Sequence, residues 1–291
     1  MAKIIVTGAT GNLGGGIIRH LLEKGVAAKD IAALVREQEG SENLKKLGVT
    51  IKIGDYNNPD SLKNAFEGMD KLMFVSSPDF DNTLRIRQHA SVVEAARNAK
   101  ISQIIYTSLA YAEEMKVVGL QNVHIATEYM IKTTEISYTF LRNGFYLENI
   151  MGDLLKKATS TGELVTAAAD GKFNFVLRDD LALAAATVLA ESGHENKAYN
   201  LVNSSAVSFD EYANIISNIY SKEVKHINLA PNEAVKKLVS MGENEAIAGF
   251  NVYGLYVPIA EGQFSKVANE LESLIGRKCT SVENALKSQL N

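Results

Sequence analysis

Cysteine is nearly absent from this 291-residue chain: Cys279 stands alone. A single thiol closes no internal disulfide, which fits a reducing cytoplasm. A basic excess is missing too. Thirty Lys and Arg against 34 Asp and Glu leave a net charge of −4. The lysine pairs Lys45-Lys46, Lys156-Lys157 and Lys236-Lys237 lie far apart and read as solvated helix faces. A nucleic-acid partner, which calls for a basic face, is therefore not expected. No apolar run approaches the ~20 residues of a membrane helix. No basic-then-apolar leader precedes the first strand-like run at Lys3. Membrane association and a signal peptide are unexpected, and the expected location is the cytoplasm. Five scattered histidines without cysteine partners (His20, His89, His124, His194, His226) give no reason to expect a metal site.

Short apolar runs alternate with helical patterns instead. Lys3–Thr7, Ile31–Val35, Thr50–Ile53, Lys71–Val75, Gln103–Thr107 and Tyr138–Arg142 are rich in Ile, Val, Leu or Phe with little polar alternation. Strands read this way when both faces of a parallel sheet are covered. Between them, Leu13, Ile17, Ile18, Leu21 and Leu22 form one amphipathic stripe, and Ile86, Ala90, Val93 and Ala96 another. The pattern predicts an α/β fold: a doubly wound parallel sheet of the Rossmann type, residues 1–202 with its core in 1–142. Leu164–Thr166 and Ala198–Val202 are candidate late strands, and Leu181–Leu189 a helix packed on the sheet. Ser208-Phe209-Asp210-Glu211 reads as a capping box opening a helix over Phe209–Tyr220. Residues 203–291 are expected to form a smaller, mostly helical lobe covering the substrate.

The N-terminal Val6-Thr7-Gly8-Ala9-Thr10-Gly11-Asn12-Leu13-Gly14 joins a strand to a helix through Gly-x-x-Gly-x-x-Gly. Gly8 suits the tight turn, Gly11 the close approach of a pyrophosphate, and Gly14 tight helix–strand packing. Thr10, Asn12 and Leu13 complete this phosphate loop, and the helix N-terminus offers free N–H groups and partial positive charge. The second strand ends at Arg36, where an NAD site usually carries an acid. A guanidinium there suits a 2′-phosphate, so NADP(H) is the expected cofactor. Asp55, after the third strand, is placed to reach an adenine. Ser76 and Ser77, after the fourth, let the backbone approach a ribose. Either tip could equally be plain loop chemistry.

Together with Arg36 and the strand ending Tyr106-Thr107-Ser108, this opening resembles the NmrA-like atypical short-chain dehydrogenases. Asp81-Asn82-Thr83-Leu84, Gln88-His89-Ala90, His124-Ile125-Ala126-Thr127-Glu128-Tyr129 and Tyr138-Thr139-Phe140-Leu141-Arg142-Asn143 extend the likeness over nearly the whole chain. Within the group it is most similar to triphenylmethane reductases and to bacterial NADPH-dependent type 2 quinone oxidoreductases. The resemblance implies an NADPH-dependent reductase, with Thr107 and Ser108 beside the cofactor.

One pair is missing. Ordinary short-chain dehydrogenases use Tyr-x-x-x-Lys, in which the lysine lowers the pKa of an acidic tyrosine. Here Tyr111 and Lys116 are five apart, Tyr129 and Lys132 three, and the expected place reads His124-x-x-x-Glu128. Without a strong proton donor, ketone reduction is disfavoured. A quinone, reduced to a stable hydroquinone anion, or a cationic triarylmethane dye, reduced to a neutral product, needs less help. The expected substrate is such a small aromatic acceptor. Asn143 and Tyr146, after the sixth strand, and His124 are the candidate catalytic residues. His124 reads equally well as a donor to a substrate oxygen or as a satisfied polar residue of a helix. Phe80, Tyr111, Phe145, Tyr253 and Tyr256 are candidate pocket walls, with core packing as the alternative for each. A dinucleotide-sensing regulator of the NmrA type, which binds a partner protein, is the rival reading. A sugar-nucleotide epimerase is a weaker one, since it needs the missing tyrosine. The oligomeric state is left open, a homodimer included.

Overall fold

The apolar runs become neighbouring strands of one sheet. In the computed structural model, which describes residues 2–116 and 119–290, β1 (Ile4–Val6), β2 (Ile31–Val35), β3 (Thr50–Ile53), β4 (Lys71–Phe74), β5 (Gln103–Leu109) and β6 (Ser137–Asn143) pair in parallel. Two short strands follow, β7 (Glu163–Thr166) and β8 (Lys172–Phe173), before β9 (Lys197–Leu201) joins β6, again in parallel. The order across the sheet is β3-β2-β1-β4-β5-β6-β9. Every residue of β1, β2 and β5 is buried, as strands of a parallel sheet covered on both faces require. Edge strand β3 is only partly covered.

Alternation along each strand divides two cores. Ile4, Val6, Ala33 and Ile105 point to the side of helices α1 (Asn12–Glu23) and, later in the chain, Arg178–Ala190. Ile5, Ala32, Leu34 and Ile104 point to the other side. There, after the short α2 (Glu42–Lys46), lie α3 (Pro59–Phe66), α4 (Asn82–Asn98) and α5 (Leu120–Lys132). The stripe of α1 holds: Leu13, Ile17, Ile18 and Leu21 are buried. That of α4 is rotated. Its buried face is Arg85, Gln88, His89, Val92, Val93, Ala95 and Ala96, whereas Ile86 and Ala90 are half-buried. Apolar periodicity missed this because the first turn and a half of the face is polar.

A third core lies beyond β6. It is built from α6 (Asp153–Thr161), β7 and β8, then, after α7 (Arg178–Ala190) and β9, from β10 (Val207–Ser208), α8 (Phe209–Tyr220), β11 (Lys225–Asn228), α9 (Pro231–Ser240), α10 (Glu245–Asn251) and α11 (Val257–Ala260). β10 pairs antiparallel with β8, and β11 parallel with β7. The capping box is present at α8: Glu211 N–H donates to the Ser208 hydroxyl and Ser208 N–H to the Glu211 carboxylate. Phe209 and Tyr212 on this helix pack against Phe173.

The chain crosses more than once between the main sheet and the third core. Leu147–Ala168 belong to the third core, while α12 (Glu270–Ile275) returns to α7 and β9, and α13 (Val282–Ser288) goes back to α8. The reason is topological. β9 re-enters the main sheet after the lobe has begun, so the chain passes repeatedly between the two parts. Buried Asn174 ties three passages together. Its amide donates to the carbonyls of Asn203 and Lys266, at 2.8 and 2.7 Å, and its oxygen accepts from Asn203 N–H at 2.7 Å. Asn203 in turn donates to the Phe175 carbonyl. Among the described residues no helix is long and apolar enough to cross a membrane.

Candidate active site

Between β1 and β4 the strand order reverses, and at the carboxyl ends of the strands there opens a cleft of about 710 Å³. Its floor starts at the glycine loop. Gly8 has a φ of +60°, and its carbonyl accepts from Gly11 N–H at 3.0 Å. A Cβ at Gly14 would lie 2.3 Å from the Gly8 oxygen, so only glycine lets α1 start this close to β1. Gly11 caps the helix without a side chain, and the first turn carries no acid. Asn12, Leu13 and Gly14 line the cleft there. Backbone donors and a helix dipole at such a turn suit an anion.

Thr10, Arg36, Asp55, Ser76, Ser77, Thr107 and Ser108 also line the cleft. Arg36 is exposed at the end of β2. Asp55 spends one carboxylate oxygen on Asn57 N–H, at 2.8 Å. Ser76 N–H donates to the Thr107 hydroxyl, joining the ends of β4 and β5. Ser77 N–H donates to His89 Nε2 at 3.0 Å, so the other ring nitrogen, 2.8 Å from the Thr127 hydroxyl, carries the proton. Burial lowers the pKa of His89 to about 3 and keeps it neutral.

At the far end, His124, Asn143, Phe145 and Tyr146 come together. His124 is buried, its Nδ1 lies 2.9 Å from the Tyr106 hydroxyl, and burial lowers its pKa to about 3. The ring is therefore neutral across the physiological range. It contacts Tyr106 on one side and lines the cleft. Tyr146 has its pKa raised by burial, and the Arg178 guanidinium sits 4.2 Å above its ring. Phe145 is braced edge-on by Phe264 at 4.5 Å. Glu128 stands where the lysine of an ordinary short-chain dehydrogenase is expected. It accepts two bonds from Arg142, at 2.9 and 2.6 Å, and one from the Ser108 hydroxyl at 2.6 Å. Its charge is balanced locally and turned away from any role as a cation substitute.

Four aromatic candidates lie elsewhere. Phe80 is 99% exposed on the loop before α4. Tyr111 lines a separate hollow with Met115 and Lys266, whose ammonium is 4.7 Å above its ring. Tyr253 is half exposed and its hydroxyl bonds Asn232. Tyr256 is buried in the third core against Phe209. None of the four lines the cleft: Phe80 and Tyr111 stand on segments that turn away from it, and Tyr253 and Tyr256 lie on a helical segment of the third core.

Tyr56 and Arg85 are among the cleft residues that escaped the sequence. Tyr56 bridges Thr7 and the Val75 carbonyl, at 2.6 and 2.7 Å. Arg85 is 9% exposed. Its Nη2 donates to the Ser76 hydroxyl at 2.7 Å, and its Nε is buried without a partner. No carboxylate pairs with it among the described residues; Asp79 is the acid whose charge it feels. Asn143 Oδ1 is likewise buried and unpartnered. An open donor and an open acceptor in one cleft fit a site whose ligand supplies the missing partners. The available signal was the polar trio Arg85, Gln88 and His89 at helical spacing, continuing the Val92–Ala96 face.

Residues 1–286 match the NmrA-like family. The structure is similar to that of Citrobacter sp. triphenylmethane reductase complexed with NADP(H), with 47% identity, a TM-score of 0.92, and 98% of this chain and 99% of that one covered. It is also similar to the NADPH-dependent quinone oxidoreductase of Escherichia coli complexed with NADPH: 34% identity, TM-score 0.91, and 99% and 100% covered. An NAD(P)H azoreductase of Xenophilus azovorans is 26% identical over 245 residues, 84% of this chain and 83% of the relative.

Proposed function

The chain belongs to the NmrA-like family, and from that premise and the cleft we propose that it reduces an electron-poor aromatic acceptor, a quinone or a cationic triarylmethane. It is an NADP(H)-dependent oxidoreductase. NADPH, when bound, supplies the hydride. Gly11, Asn12, Leu13 and Gly14 receive the pyrophosphate, and Arg36 the 2′-phosphate. Asp55, Ser76, Ser77, Thr107 and Ser108 line the length of the cofactor. Phe145 and Tyr146 form the wall on which a flat ring rests.

The observation that carries this reading is the absence of a competent acid at the far end. His124 is neutral and its Nδ1 lies 2.9 Å from the Tyr106 hydroxyl; in the tautomer in which that nitrogen accepts, Nε2–H donates a hydrogen bond to an acceptor oxygen without giving up its proton. Tyr146, its pKa raised by burial, also stays protonated. Asn143 orients rather than titrates. Such a site suits acceptors whose reduced forms need little protonation.

The test is NADPH oxidation against quinones, triarylmethane dyes and simple ketones. Quinones or dyes should turn over and ketones should not. His124→Ala and Tyr146→Phe should lower the rate by no more than about 10²-fold, the lower end for a proton-transfer group. Ketone reduction that collapses in His124→Ala would overturn the reading. Tight NADPH binding with no turnover of any acceptor would favour a sensor.

A further inference from the structure

Arg85 is the one cleft cation that is both buried and without a carboxylate partner among the described residues. Arg36 is exposed, and Arg178 pairs with Glu148 at 3.5 Å. The body of Arg85 is fixed by the hydrogen bond to Ser76, and its guanidinium keeps unused donors. The groups around it are the neutral His89 and His124, the phenols Tyr106 and Tyr146, and the half-buried Asp79. A positive charge that the protein leaves uncompensated in a half-dry cleft favours negative charge in whatever binds there and opposes positive charge.

We propose that Arg85 selects acceptors by charge: it favours those that carry or develop negative charge on oxygen and disfavours cationic ones. This rests on the reductase reading above and divides its two acceptor types. A quinone gains a hydride (that is, two electrons with one proton) from NADPH and becomes the hydroquinone monoanion. A proton from solvent then completes the hydroquinone, and NADP⁺ leaves. Arg85 stabilises the anionic oxygen of that product as it forms. A triarylmethane cation gains the same hydride at its central carbon and becomes neutral. There Arg85 repels the charged ground state and gains nothing in return.

The experiment compares the native protein with Arg85→Met, Arg85→Gln and Arg85→Lys. Three acceptors are used: 1,4-naphthoquinone, its 2-sulfonate, and the cationic dye malachite green. In the native protein kcat/KM should fall in the order sulfonate, neutral quinone, dye. Arg85→Met and Arg85→Gln should cut quinone kcat/KM by about 10- to 150-fold, the worth of a hydrogen bond to a charged group. They should raise dye kcat/KM by about tenfold, as expected for removing a unit charge ~10 Å away at an effective dielectric near 20. Arg85→Lys, which keeps the charge, should retain the order. NADPH affinity should be unchanged in all. A second readout needs no turnover: titration with anthraquinone-2-sulfonate, which should bind the native and lysine proteins and not the neutral variants. Two neutral variants guard against one misfolding. Loss of NADPH affinity with an unchanged quinone-to-dye ratio would assign Arg85 to a cofactor phosphate and overturn the proposal. An unchanged ratio with unchanged anthraquinone-2-sulfonate binding would also overturn it. If the native protein reduces no acceptor, the reductase reading falls, and the anthraquinone-2-sulfonate titration alone decides whether Arg85 is an anion-selecting group.

Discussion

Two glycines in one loop should fail in opposite ways. At Gly14 a methyl group would sit 2.3 Å from the Gly8 oxygen, 2.7 Å from the Gly8 carbonyl carbon and 3.0 Å from the Thr7 oxygen. Ordinary contact begins near 3.4 Å, so backbone must retreat by roughly 1 Å, and no flexible side chain is there to yield. Overpacking of this kind costs about 1–3 kcal/mol, and a backbone obstacle belongs at the upper end. For a chain of this size about 3 kcal/mol lowers Tm by roughly 5 °C. At Gly11 the same methyl meets only the Gly8 oxygen, at 3.3 Å, and otherwise faces the cleft. Gly11→Ala should shift Tm by no more than about 2 °C, a cost below ~1 kcal/mol. Gly11→Val should fold yet lose NADPH, because its side chain occupies the phosphate position. Losing even one charge-assisted bond there weakens binding by about 10- to 150-fold. Thermal melts without cofactor and fluorescence titration with NADPH give both numbers. Native NADPH affinity in Gly11→Val, or a native Tm in Gly14→Ala, would refute this account of the loop.

Arg36→Asp should erase or invert the preference for NADPH over NADH, expected at about 10- to 150-fold from one guanidinium–phosphate contact; equal affinities in the native protein would refute the assignment. His89 and His124 have folded pKa values near 3, below the value near 6.5 expected when unfolded. The unfolded chain therefore binds more protons between those limits, and stability should fall as pH drops from about 6.5 toward 4, by up to about 1.4 kcal/mol per pH unit for each ring. His124→Gln should flatten that fall in urea titrations run at several pH values; an unchanged slope would mean that the ring is not held neutral. Glu128→Ala strands Arg142, 26% exposed at its side chain, and should cost on the order of 3–5 kcal/mol in urea unfolding, a penalty that Arg142→Met in the same chain should partly relieve.

The parts of the fold that show in the sequence are those where burial is periodic. β2 and the middle of β5 (Ile104–Tyr106) sit in the sheet with both faces covered, so their residues had to be largely apolar. The capping box at Ser208 and the glycine loop were legible because each needs particular atoms at fixed short spacing. The dinucleotide half of the cleft is built largely from such local signals. The acceptor half is not. Whether Tyr256 walls a cleft or fills a core depends on the course of helices far along the chain. Arg85 was hidden because a charged residue on a helix is ordinarily solvated, and only the packing of α4 against the ends of β4 and β5 turns it inward. Glu128 was visible as an anomaly, but its meaning came only when Arg142, on a neighbouring strand, supplied its partner.

The Asn174–Asn203 clasp bears on how the cleft works as a machine. A hinge swings freely when one or two segments cross it. Here residues 174, 203 and 266 lie on three separate passages between the halves, tied together by the buried Asn174 amide. A wide rotation would have to shear all three at once and leave those amides without partners. The two halves therefore behave as one stiff frame.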